Sequence, residues 1–143
     1  MAIQKNPDRQ WPLRAKVDFT YDNFTTEGSG VAVAAIDLPG GARVIGGQIA
    51  ITTPFNTSGG TTPADTLDVG DGTTAGRYAA GVNGQAAGVT ALTVDQNDHA
   101  SGKGVVYITW TPNADNTAVA TAGAGFLEVE YVIEGRGNES QPV

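Results

Sequence analysis

A chain of 143 residues is one domain's worth of protein, able to bury roughly 68–70% of its unfolded surface without covalent staples. It has no cysteine, which excludes disulfides, thiolate metal sites and a cysteine nucleophile, and no apolar run near the ~20 residues of a membrane span. The net charge of −7 is uneven: residues 1–16 carry Lys5, Arg9, Arg14 and Lys16 against Asp8 alone, for +3, and the rest of the chain carries −10.

The acidic body argues against nucleic acid as a partner, since it repels a phosphate backbone. Residues 1–7 lack the apolar stretch of a secretory signal. Twenty glycines accompany many Thr, Val and Ala, a balance that favours pleated strands and tight turns over helices.

In chain order, residues 1–12 hold Pro7, Pro12 and Trp11 without periodicity and read as an extended basic arm. Leu13, Ala15, Val17, Phe19 and Tyr21 then alternate with polar residues, predicting a strand with those side chains on one face. A turn-rich stretch at 25–30 precedes a second strand over 31–36, and Leu38-Pro39-Gly40-Gly41 marks a turn. The third strand, 43–53, contains Gly46-Gly47, the signature of a bulge or a close backbone approach. A Thr/Gly/Ser loop is expected over 54–63, a short strand over 66–71, and irregular Gly/Ala-rich chain over 72–88. Further strands are expected over 89–94 and 105–111, the latter placing Val106, Ile108 and Trp110 on one face. A turn at 113–116, a weak strand over 117–121 and a last alternating strand complete the pattern, with Leu127, Val129, Tyr131 and Ile133 inward and Glu128, Glu130 and Glu134 outward.

About eight strands with frequent turns predict an all-β fold, a two-sheet antiparallel sandwich of jelly-roll type, with a seven-stranded immunoglobulin-like sandwich as the competing topology. The expected organisation is an arm over 1–12, the sandwich over 13–135 and a polar tail over 136–143. The expected core is Val17, Phe19, Ile51, Val106, Ile108, Trp110, Leu127, Val129 and Tyr131.

Catalytic chemistry finds little to work with. The single histidine, His99, follows Asp98, but sequence neighbours in an extended chain point to opposite faces, and no Gly-x-Ser-x-Gly elbow exists. Glu128, Glu130 and Glu134 share a strand face opposite the apolar one, which reads as a solvated surface rather than a glycosidase pair. Asp65, Asp68 and Asp71 match neither an EF-hand nor a calcium β-roll and read as turn aspartates. The paired glycines at 40–41, 46–47 and 59–60 lack the features of a phosphate loop. The expectation is therefore no enzyme, no cofactor and no metal. Trp110 belongs to a core face, whereas Trp11, beside prolines and arginines, suits anchoring in a partner's pocket. Lys5, Arg9, Trp11 and Arg14 are the candidate partner-binding residues.

The run Ile36-Asp37-Leu38-Pro39-Gly40-Gly41-Ala42-Arg43-Val44, then Ile49 to Asn56, then Asp65-Thr66-Leu67-Asp68-Val69-Gly70-Asp71 with Arg77-Tyr78, resembles the jelly-roll cement (decoration) proteins on the capsids of tailed bacteriophages. The resemblance covers residues 36–78, about a third of the chain, and consists of packing and turn motifs. It implies a virion protein without catalytic residues, made in the host cytoplasm. Its implied partners are the major capsid protein and further copies of itself, as dimer or trimer; the acidic body and the lack of an apolar span argue against nucleic acid and membrane as partners. Such proteins sit at symmetry axes and clamp neighbouring capsid subunits against the pressure of packaged DNA. A carbohydrate- or receptor-binding sandwich of a phage tail or surface protein is the alternative; it calls for an exposed aromatic strip, of which only Trp11 and scattered tyrosines are available. A small hydrolase would need His99 in a polar cleft.

Overall fold

Alternating apolar residues can be buried along one face of a strand only if a second sheet covers that face. The computed structural model, which describes residues 11–25, 30–57, 65–94, 104–112 and 120–133, meets this need with two four-stranded antiparallel sheets. The strands are β1 (Leu13–Thr20), β2 (Ala32–Asp37), β3 (Ala42–Thr57), β4 (Thr66–Gly70), β5 (Ala79–Asn83), β6 (Gly88–Ala91), β7 (Val105–Thr111) and β8 (Ala120–Ile133), with one short helix, α1 (Tyr21–Thr25), after β1. One sheet has the order β1-β8-β3-β6 and the other β2-β7-β4-β5. The first strand thus pairs with the last, the second with the seventh, the third with the sixth and the fourth with the fifth. A long hairpin folded over on itself and rolled into two sheets produces this order, which is the jelly roll. The expectation of an all-β jelly-roll sandwich holds, and the immunoglobulin-like order does not.

Between the sheets lie Phe19, Ile49, Ile51, Leu67, Val69, Val106, Ile108, Leu127 and Val129, all buried. Tyr131, expected inward with Leu127 and Val129, is only half-buried and stands outside this cluster. It pairs with Leu13, the first residue of an edge strand and itself 41% exposed, so this corner of the sheet is open to water.

Four aromatic rings fill one region of the interior. Phe24, carried inward by α1, meets Phe19 edge-on at 5.7 Å and Phe55 at 6.0 Å, and Phe55 stacks on Trp110 at 6.5 Å. Such pairs add to simple area burial. Helix α1 replaces the expected continuation of β1 through Tyr21. The reason is local: the Thr20 N–H donates to Asn23 Oδ1 at 2.8 Å, satisfying an otherwise orphan donor at the helix start.

Three strand readings are corrected. β3 runs on through Pro54 to Thr57, where a loop was expected, with its register slipping between Thr53 and Asn56 so that the proline need not donate to the ladder. The Gly/Ala-rich stretch contains a whole strand, β5. The weak strand and the last strand are one, β8, of 14 residues. Its small residues are dictated by the aromatic cluster: at Gly123 (φ +146°) a Cβ would lie 2.5 Å from the Phe55 ring. The expected turn at 113–116 falls outside the described residues.

The glycine pair in β3 behaves as the sequence predicts. The register shifts between Val44 and Gly46, and Gly47 (φ +136°) lies against the Glu128 carbonyl, where no Cβ fits.

Trp110→Ala should destabilise the fold by about 3–5 kcal/mol, since it removes the ring that Phe55 stacks on and leaves a cavity between the sheets. Chemical denaturation against the parent protein measures it, and an unchanged midpoint would contradict this packing.

Candidate interaction surface

β1 is an edge strand, so its outward residues face solvent on one side and β8 on the other. The register sets Arg14 opposite Glu130 and Lys16 opposite Glu128. Because Glu128 and Glu130 are two residues apart on one strand, both carboxylates emerge on the same face. The Arg14 guanidinium bridges them, Nη1 to Glu128 Oε1 at 3.0 Å and Nη2 to Glu130 Oε1 at 2.7 Å. Gln48 on β3 reaches the other Glu128 oxygen from Nε2 at 3.3 Å. Next along β1, Lys16 Nζ lies 3.3 Å from Asp18 Oδ1 and 4.6 Å from the centre of the Phe126 ring. The two cations of β1 are thus answered within the sheet.

Arg14 therefore sits in β1, with its charge matched by β8. Lys5 and Arg9 lie outside the described residues. With Arg14 and Lys16 assigned to β1, residues 1–12 retain Lys5 and Arg9 against Asp8, a net of +1 instead of the +3 counted over 1–16. What distinguishes this end of the molecule is apolar: Trp11 is 87% exposed, Pro12 is exposed, and Leu13 is partly exposed. A large indole in water is an unused contact surface of the kind that anchors interfaces.

The other candidates of the sequence resolve differently. Asp65 and Asp71 flank the five residues of β4, which at ~3.3 Å per residue sets them about 20 Å apart. Asp68 Oδ1 accepts the Gly81 N–H at 2.7 Å. Asp71 Oδ1 accepts from Thr73 and Thr74 N–H at 2.9 and 2.8 Å, while its Oδ2 pairs with Arg77 Nε at 2.8 Å. Asp65 is buried, with Gln85 Nε2 3.4 Å from its Oδ2. Among the described residues no three His, Cys, Asp or Glu side chains gather as a metal site. The Asp71–Arg77 pair and the buried Tyr78, whose N–H bonds to Val69 O at 2.9 Å, hold the turn between β4 and β5 against β4. His99 and Glu134 lie outside the described residues. Trp110 is core and cannot serve as a sugar platform.

A small apolar cavity of about 80 Å³ opens between the β1 and β2 edges, lined by Val17, Phe19, Phe24, Val33, Ala35 and Ile108, with Asp18 and Asn23 as its polar groups. One carboxylate and one amide do not make an acid–base pair or a nucleophile with its base.

No protein-family model matches the sequence. No curated protein matches it either. The fold is shared with solved structures, two of them from phage capsids. A chain of the "Cyanophage Pam1 capsid asymmetric unit" aligns with a TM-score of 0.59 and 20% identity, over 85% of this chain and 84% of its own. A chain of the "Capsid of Ralstonia phage GP4" aligns with a TM-score of 0.54 and 19% identity, over the same shares. Both are chains of about this length. No helix among the described residues is long and apolar enough to cross a membrane.

Two predictions follow from the matched charges. Arg14→Ala should lower stability by about 0.5–1 kcal/mol in dilute buffer and less in 1 M salt, because the pair is exposed and screened; denaturation at both salt concentrations measures the difference. EDTA should leave the melting temperature unchanged, since Asp68 and Asp71 already bind backbone N–H groups and Arg77. A loss of several degrees that calcium restores would contradict that assignment.

Proposed function

We propose that this chain is a structural protein of a tailed-phage virion, and more narrowly a cement (decoration) protein that binds the outside of the major capsid shell and stabilises it. The observation that carries the reading is the shared fold: two chains of similar length, both from phage capsids, superpose on 85% of this one. The cement-protein resemblance of residues 36–78 supports the same reading from the sequence, and the structure gives its motifs a packing role, in the turn between β4 and β5 and in the bulged start of β3. In this role the chain turns over no substrate and needs no cofactor. Its partners are the major capsid protein and further copies of itself, and its net charge of −7 keeps its surface off DNA.

The test is addition of purified protein to shells that lack it. Saturable binding, together with a higher temperature of DNA release, is the expected result; shells that bind none of it would end the proposal.

The exposed indole makes a sharper prediction. Removal of residues 1–12, or Trp11→Ala alone, should spare the melting temperature and weaken shell binding, with Trp11→Ala costing more than Arg9→Ala. Shell-binding isotherms of the three variants at physiological salt decide it, and equal affinity for all of them would remove the arm from the interface.

A further inference from the structure

Sheet edges present unpaired backbone groups, and soluble proteins protect them with charge, bulges, proline or shortness. Three of the four edges here are protected in this way. β1 carries Arg14, Lys16 and Asp18. β2 is bulged between Ala34 and Ile36 and ends in Asp37. The β4–β5 ladder slips between Leu67 and Val69, and β5 turns at Gly81 (φ +64°). β6 has no such device except its shortness: all four residues, Gly88 to Ala91, are exposed, and Val89 is 64% exposed.

The surroundings of β6 are equally bare of charge. From residue 78 to 94 there is no Asp, Glu, Lys or Arg. This stretch forms β5, the turn after it and β6, which are edges of opposite sheets joined by one connection and so form one flank of the sandwich. Ala80, Asn83, Ala87, Val89, Ala91 and Thr93 are exposed along it. The opposite flank, β1 and β2, carries Arg14, Lys16, Asp18 and Asp37.

We infer that this neutral flank is where the chain meets a second copy of itself, through antiparallel pairing of the two β6 strands. Charge selects the occupant. Two bodies of net charge −7 repel, and a flank with no charge lets them touch without setting like charges face to face. The backbone fits as well. The Leu92 N–H bonds to Gly47 O at 2.9 Å, which sets the phase of the β3–β6 ladder. Alternation then turns the N–H and C=O groups of Val89 and Ala91 to the open edge. A twofold axis through Thr90 would set Val89 of each copy opposite Ala91 of the other, each pair exchanging both its backbone hydrogen bonds, and would continue one sheet across the dimer. The inference deepens the cement reading by naming its self-association surface.

The experiment is light scattering and sedimentation equilibrium on the full chain at tens of micromolar, without shells. The parent should be a dimer. Val89→Lys and Ala91→Lys should each weaken it by about tenfold or more, because each sets a charge against the uncharged edge of the other copy, with the two new lysines diagonal neighbours across the axis. Circular dichroism melts should show both variants folded, and Ala32→Lys, on the opposite flank, should remain dimeric. A monomeric parent, dimers that survive both lysines, or equal dissociation by Ala32→Lys would each overturn the inference. A monomeric parent that still saturates shells would leave the cement function standing. If Val89→Lys then lost shell binding, the flank would belong to the capsid protein and not to a second copy.

Discussion

The ladder between β3 and β8 is the constraint on which the rest of this molecule depends. These strands, of 16 and 14 residues, sit at the centre of one sheet, and β1 and β6 are added to their outer sides. Their inner faces supply Ile49, Ile51, Leu127 and Val129 to the core, and their outer faces supply Gln48, Glu128 and Glu130 to the charged surface. A plain ladder of this length would twist and coil without a place for bulky rings. Gly123 gives the Phe55 ring room against β8, and Gly47 lets β3 lie against the backbone of Glu128. The long strands can therefore hold the ladder and the aromatic cluster together.

That economy explains what the sequence disclosed and what it hid. Strands such as β7 are legible because burial alternates along them: Val106, Ile108 and Trp110 are buried, while Val105 and Tyr107 between them are only half-buried. β8 reads in the sequence as two strands because its first half faces aromatic rings supplied by other elements, and glycine there leaves no hydrophobic period to read. β5 is hidden in the sequence for a related reason: Ala79, Ala80 and Gly81 are small, and only Val82 adds a bulky apolar side chain to the core. The end of β1 is hidden because Asn23 caps a helical turn, a local hydrogen bond that overrides the alternation through Tyr21.

The candidate site was legible in its parts and not in its grouping. Trp11 stood out as a large side chain without a strand, and it is exposed. Arg14 falls within the basic residues counted over 1–16 because a charge count follows the chain, whereas ion pairing follows the register. Glu128 and Glu130 are more than a hundred residues away in sequence and directly beside Arg14 in space. The neutral flank was invisible for the opposite reason. A stretch without charge resembles loop or core until topology shows that its two strands are edges.

The distribution of charge then bears on adhesion itself. In the proposed role, an acidic chain coating a crowded shell cannot rely on one strong electrostatic contact, because every added copy raises the repulsion on the next. Its attractive surfaces have to be those where charge is either cancelled or missing. On this molecule the outer face of the β1-β8-β3-β6 sheet cancels its cations locally, through Arg14 with two glutamates and Lys16 with Asp18. The β5–β6 flank dispenses with charge altogether, and the exposed indole at the start of β1 offers apolar area. Contacts of these three kinds depend weakly on salt, since little free charge is brought together when they form. In the proposed role, a coat held by them would keep its grip across the ionic strengths a virion meets between one host and the next, whereas a coat held by an acidic face on a basic shell would loosen whenever salt rose.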